Sequence, residues 1–205
     1  MKPRIAVVDC GIGNLRSVQK AFEKLGATTV VTTSAGSISE SDAIILPGDG
    51  AFKTGMKALE PLKEKLFLEV GQGKPLLGIC LGMQVLFSTG FEGGKTSGLG
   101  FLEGEVKRFE EGSLKVPQIG WNRIESLHGR LFEGVDEGQR AYFLHSYYCE
   151  PKEKPQVCAE TGYGIMYASA VERNNLFGVQ FHPEKSSAAG LKMLENFIEV
   201  VKEWK

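Results

Sequence analysis

A chain of 205 residues with 42% hydrophobic and 24% charged side chains matches one large globular domain with a full core. Lys and Arg total 24 against 25 Asp and Glu, a net charge of −1, which excludes the strongly basic face that broad nucleic-acid binding needs. No apolar run approaches the ~18 residues of a membrane span. Only Ile5 to Val8 separate the basic start from Asp9, which is unlike a secretory signal, so a cytoplasmic chain is expected.

The first half alternates strand and helix. Arg4–Asp9 is β-branched and apolar, as a strand buried on both faces is. Leu15, Val18, Phe22 and Leu25 recur at helical spacing before Gly26, a C-terminal stop. Thr28–Thr32 and Ala43–Leu46 read as further strands, the latter halted by Pro47-Gly48. Leu62–Val70 reads as a helix, Leu76–Ile79 as a short buried strand, and Leu81–Ser88 as a helix. Repeated β-α units with short connections imply a parallel sheet with flanking helices and right-handed crossovers.

The second half carries short β-like runs between Gly, Asn and Pro: Val106–Phe109, Ile119–Ile124, Arg140–His145, Val157–Glu160, Ile165–Val171 and Phe177–Phe181. These are expected as antiparallel additions to the same sheet, with Ala188–Val201 as a closing amphipathic helix. No linker separates the halves, so residues 1–205 read as a single α/β domain. The four cysteines are scattered without a CxxC pair, and the three histidines lack ligand spacing. Neither a disulfide framework nor a metal site is expected, and no cofactor is implied.

Gly78-Ile79-Cys80-Leu81-Gly82 follows a buried strand and opens a helix. That is a nucleophile elbow with Cys for Ser. The flanking glycines let backbone pack close around a sharp turn, a helix N-terminus favours thiolate, and the Leu81 N–H faces the sulfur as an oxyanion donor. The alternative is a buried structural cysteine at a tight turn. Gln180-Phe181-His182-Pro183-Glu184 weighs against that alternative. In extended chain residues i and i+2 share a face, and Pro183 biases His182 toward extension. Glu184 is thereby set beside His182 to select its tautomer and support an imidazolium.

Other candidates are open. His128 lies in a loop composition and reads as solvated; His145 ends a strand and either lines the site or is hydrogen-bonded structure. Gly11-Ile12-Gly13 follows the first strand, but Arg16 stands where a dinucleotide motif needs its third glycine. Pro47-Gly48-Asp49-Gly50 is either a simple turn or the second half of an oxyanion hole at the same sheet edge.

With these residues assembled, the chain resembles the class I, triad-type glutamine amidotransferases. Within them it is most similar to the glutaminase subunits of imidazole glycerol phosphate synthase. The resemblance spans essentially the whole chain and rests on Gly11–Ser17, Leu46–Phe52, Gly78–Gln84, Pro117–Asn122, Tyr142–Tyr147 and Phe181–Ser186. Gln118, Cys10 and Asp49 depart from the family pattern, and Asp49 is expected to face solvent or a partner rather than the oxyanion.

The resemblance implies a single-domain amidotransferase fold and a Cys80–His182–Glu184 triad. It implies oxyanion donors at Leu81 and the Asp49–Gly50 loop, and glutamine contacts from Gly48, Gly50, Gln84, His145, Ser146 and Tyr147. It further implies a heterodimer with a (β/α)8-barrel cyclase subunit that takes the ammonia, docked near Asn14, Trp121, Tyr142 and Lys185, with no nucleic acid or membrane partner.

Overall fold

The computed structural model describes residues 2–11, 13–110, 112 and 114–204; Ile12 of the Gly11–Ser17 motif lies outside them. In chain order, β1 (Arg4–Val8) leads to α1 (Leu15–Lys24), β2 (Thr28–Thr32), α2 (Ala35–Ser39), β3 (Ala43–Leu46), α3 (Phe52–Leu59), α4 (Lys63–Gly71), β4 (Leu76–Ile79) and α5 (Leu81–Gln84). There follow β5 (Phe87–Gly90), β6 (Thr96–Ser97), β7 (Leu102–Arg108), β8 (Gln118–Arg123) and β9 (Arg140–His145). The chain closes with β10 (Tyr147–Pro151), β11 (Val157–Tyr163), β12 (Ile165–Arg173), β13 (Leu176–Val179) and α6 (Ser187–Trp204).

An 11-stranded sheet runs β2-β1-β3-β4-β13-β12-β10-β7-β5-β6, with β11 paired to β12. From β2 to β13 every neighbour is parallel, and β12, β10 and β7 continue it antiparallel. The parallel strands are continuous apolar runs because both their faces are covered. Ile5, Val7, Ile45, Leu77 and Ile79 pack on one side with Phe22 of α1 and Phe197 of α6. Ala6, Val8, Ile44, Leu46 and Leu76 alternate to the other side, against Met56, Leu59 and Leu66. Among the described residues no helix is long and apolar enough to cross a membrane.

Three expectations about the elements change. The helix expected over Leu81–Ser88 ends at Gln84, because Phe87–Gly90 is drawn into the sheet beside β7 and β6. β8 and β9 do not join the main sheet; they form a separate two-stranded ribbon in which Trp121 faces Tyr142. β13 stops at Val179, so Gln180 and Phe181 lie beyond the strand and Pro183–Lys185 is a 3₁₀ turn. The short α2, the glycine-containing α3, and β5, β6 and β10 carry too little periodicity to stand out in the sequence.

Candidate active site

The site forms where three adjacent parallel strands end. β3 runs into Pro47–Gly50, β4 into Cys80, and β13 into His182, and their registers (Leu46 beside Gly78, Ile79 beside Val179) bring these ends together. This is the carboxyl edge at which open α/β sheets gather ligands. The Cys80 N–H donates to Val179 O at 2.7 Å, tying the elbow to the strand that precedes His182.

Cys80 itself has φ 55° and ψ −110°, a strained conformation for a non-glycine residue and the one a nucleophile elbow requires. The flanking glycines have a steric reason. A Cβ on Gly82 would lie 1.6 Å from Leu46 O, and one on Gly78 would lie 2.5 Å from Gly82 O. The turn therefore packs directly on neighbouring backbone, which projects the sulfur into a cavity of about 380 Å³. Asp49, Gly50, Gln84, His145, Ser146 and Tyr147 line it with Cys80, as do Glu92, Pro117 and Leu144. Asp49 is exposed, and it also lines this cavity beside Cys80.

His182 Nδ1 donates to Glu184 Oε1 at 3.0 Å, with both side chains almost wholly buried. The pair is made by the 3₁₀ turn at Pro183 and not by strand alternation, which corrects the sequence argument while keeping its partners. Because Nδ1 carries the proton toward the carboxylate, Nε2 is the nitrogen left to exchange protons, and the Cys80 sulfur is the other group acting on the imidazole. Burial pushes the imidazole pKa down, but the Cys80 sulfur and the Glu184 carboxylate outweigh it and raise the pKa to about 10. The Cys80 thiol donates to Leu144 O at 3.7 Å and its sulfur accepts from Gln180 Nε2 at 3.7 Å.

Two expectations about the oxyanion region are corrected. The Leu81 N–H is not free: it donates to Gly48 O at 3.2 Å, so the donor next to the nucleophile is capped by the very loop expected to complete the hole. In addition, α5 is a single turn, whose dipole is far smaller than that of the longer helix expected there.

His145 is a structured cavity residue. Its Nδ1 donates to Tyr147 O at 2.7 Å and its Nε2 meets Tyr167 Oη at 3.2 Å. Burial, and secondarily the charge on His182, hold its pKa near 4 against the opposing Tyr147 bond, so it is neutral. Gln118 is buried and accepts from Tyr167 Oη at 3.0 Å. Cys10 is buried away from the cavity, its thiol pKa pushed up to about 12 by burial and by Asp9. His128 is exposed, as expected. Among the described residues no three His, Cys, Asp or Glu side chains are grouped to hold a metal ion.

A model of one family, glutamine amidotransferase class-I, matches residues 6–201. The chain belongs to the class I glutamine amidotransferase family. It is 49% identical over 205 residues to the imidazole glycerol phosphate synthase subunit HisH of Moorella thermoacetica, covering 98% of this chain and 97% of the relative. It is 48% identical over 200 residues to the subunit of the same name from Methanosarcina mazei, covering 96% and 98%. Among solved structures, a chain of PurLQS from Thermotoga maritima superposes with a TM-score of 0.77 at 20% identity, over 97% of this chain and 99% of that one. That similarity shows the shared fold.

The four residues expected at a docking surface divide. Trp121, 49% exposed, meets Tyr142 edge-on at 6.2 Å, and Lys185 Nζ lies 5.8 Å from the Tyr142 ring. This group adjoins the amidotransferase site: the His182 N–H donates to Tyr142 O at 2.9 Å, and Ser186 Oγ bridges the Tyr142 N–H and His182 O. Asn14 stands on a different loop, where it caps α1 by accepting from the Ser17 N–H at 3.2 Å. Gly13 beside it packs on the Pro47–Gly50 loop; a Cβ there would lie 3.1 Å from Gly48 Cα. Sequence reasoning passes over Gln180 and Leu144. Gln180 carries one legible sign, a polar side chain inside the apolar run Leu176–Phe181.

Proposed function

We propose that this chain is the glutaminase subunit of an imidazole glycerol phosphate synthase, working in the cytoplasm, and that Cys80, His182 and Glu184 are its catalytic triad. The observation that carries the reading is the strained Cys80 elbow, which opens on a cavity able to hold an amino acid and is backed by a buried His182–Glu184 pair. His182 Nε2 holds the proton given up by the Cys80 thiol, as its raised pKa favours, and the sulfur attacks the side-chain amide carbon of glutamine. The tetrahedral oxyanion collapses to a thioester as His182 returns the proton to departing ammonia. Water, deprotonated by His182, then hydrolyses the thioester to glutamate and frees the thiol. Glu184 holds the imidazole by its Nδ1–H throughout.

Both amide hydrogens of Gln84 are engaged, with Tyr147 O and Gln180 Oε1. Its Oε1 is therefore the acceptor offered to the substrate's ammonium group, with Gly50, His145, Ser146 and Tyr147 shaping the rest of the cavity and Gly48 buried behind them. Leu81 and the Asp49–Gly50 turn supply oxyanion donors once the Gly48 carbonyl moves away. Ammonia released into water would become ammonium, so a (β/α)8-barrel cyclase subunit docks over Trp121, Tyr142, Lys185 and the Asn14 loop and consumes it on a phosphoribosyl-aminoimidazole substrate.

The test is labelling by a glutamine-like chloroketone, with and without the partner. Stoichiometric modification at Cys80, prevented by glutamine, is the expected result. Modification elsewhere, or none under either condition, contradicts the reading.

A further inference from the structure

Gln180 is fully buried where the chain leaves β13, between Val179 and Phe181, which both pack into the apolar core. A buried amide is costly unless bonded, and an apolar side chain would satisfy the packing there. The backbone N–H of Gln180 is already satisfied by Ser169 O at 2.8 Å. Both hydrogen bonds of its side chain go to the site: Nε2 donates to Cys80 Sγ at 3.7 Å, and Oε1 accepts from Gln84 Nε2 at 3.1 Å.

The orientation of this chain of amides is fixed from one end. Tyr147 O is a carbonyl and can only accept, so the Gln84 end that meets it at 3.0 Å must be the NH₂. That NH₂ also faces Gln180, so the Gln180 atom beside it must be the oxygen. The Gln180 group left facing the sulfur is then a donor. Cys80 is held between two unlike partners, a donor in Gln180 and an acceptor in Leu144 O. When the thiol loses its proton the Leu144 bond is lost and the Gln180 bond strengthens, since donors to charged acceptors bond more tightly.

We propose that Gln180 is a positioning residue for the nucleophile: through an amide relay anchored on the Tyr147 carbonyl, it donates to the Cys80 sulfur and stabilises the thiolate in the attacking position. This deepens the glutaminase reading and rests on Cys80 being the nucleophile. The titratable groups facing Cys80 are His182 with its partner Glu184, Tyr167 and Cys149, and, across the cavity, Asp49, Glu92, His145 and Tyr147. None is altered by changing Gln180, which is itself uncharged.

The test follows alkylation of Cys80 by iodoacetamide across pH in the full chain, read at the Cys80 peptide by mass spectrometry. Gln180→Met should raise the pH of half-maximal reaction by about one unit, a tenfold loss of thiolate below the midpoint. It should lower kcat for glutamine, and KM should rise with it, because losing the Gln180 acceptor frees the Gln84 amide whose Oε1 meets the substrate's ammonium group. Gln180→Glu, isosteric but without the donor and with a like charge facing the thiolate, should shift the midpoint further. In the unsubstituted chain, the Gln180 side-chain amide resonance should titrate together with Cys80, a readout that needs no variant. A flat Gln180 resonance through the Cys80 transition, or variants that fold and keep the original midpoint, overturns the positioning role and leaves the triad standing. Retention of glutamine hydrolysis by Cys80→Ser would instead overturn the underlying reading.

Discussion

Docking of the partner subunit, with the partner's nucleotide bound, should raise glutamine turnover by at least about a hundredfold, and the reason lies at one amide. In this structure the Leu81 N–H donates to Gly48 O at 3.2 Å, so an oxyanion formed at Cys80 meets a capped donor. A missing oxyanion donor costs roughly 3–4 kcal/mol in the transition state, or 10²–10³ in rate. The cap itself is an ordinary backbone bond worth about 1 kcal/mol net, so a hundredfold effect needs the shut loop favoured by about 2.7 kcal/mol in the isolated chain, the remainder coming from the packing of Gly48 against Leu81 and Gly13. A hundredfold gain corresponds to about 2.7 kcal/mol, which the partner must supply as a preference for the open loop.

The contacts for such a bias exist, because Gly13, next to Asn14, packs against Gly48 and Asp49. Glutaminase rates of the isolated chain, the complex, and the complex with a nucleotide analogue read the effect directly. The resonances of the Leu81 and Asp49 amides should change only in the activated complex. Equal turnover in all three states, or an unchanged Leu81 amide in an activated complex, would refute the reasoning.

Other outcomes follow from the same geometry. Glu184→Gln keeps the shape but removes one of the two groups that raise the His182 pKa, so the pH at which the imidazole loses its proton should fall below about 10. Turnover should drop by up to ~10⁴-fold with little change in KM, as pH-rate profiles and imidazole proton shifts would reveal; unchanged turnover would reduce Glu184 to a structural residue. Gly82→Ala places a Cβ 1.6 Å from Leu46 O, so soluble, cooperatively folding protein should be lost. A variant that melts like the parent would disprove the packing argument.

What the sequence made legible was whatever a physical constraint forced on composition. β1, β3 and β4 are covered on both faces, so they show as apolar runs bounded by turns. The elbow is visible because Gly78 and Gly82 have no room for a Cβ. Elements set by tertiary pairing were less visible. The run after Cys80 has a helical pattern, yet Phe87–Gly90 is captured by β7 and the helix stops at Gln84. α3 hides behind Gly55, where a Cβ would lie 3.1 Å from Leu81 Cδ2. The His182–Glu184 pair was legible although its geometry was not, since a proline-bounded turn and a strand both bring i and i+2 together. The Gly48 cap on Leu81 leaves no mark on composition, because both atoms belong to backbone.

In the proposed function Cys80 serves only to generate ammonia. The measurement that bears on it most directly compares glutamine-dependent and ammonia-dependent synthesis by the complex carrying Cys80→Ser. The account predicts no detectable product with glutamine and an undiminished rate with ammonium at alkaline pH. Loss of both activities in a complex that still assembles, or persistence of the glutamine reaction, would contradict it.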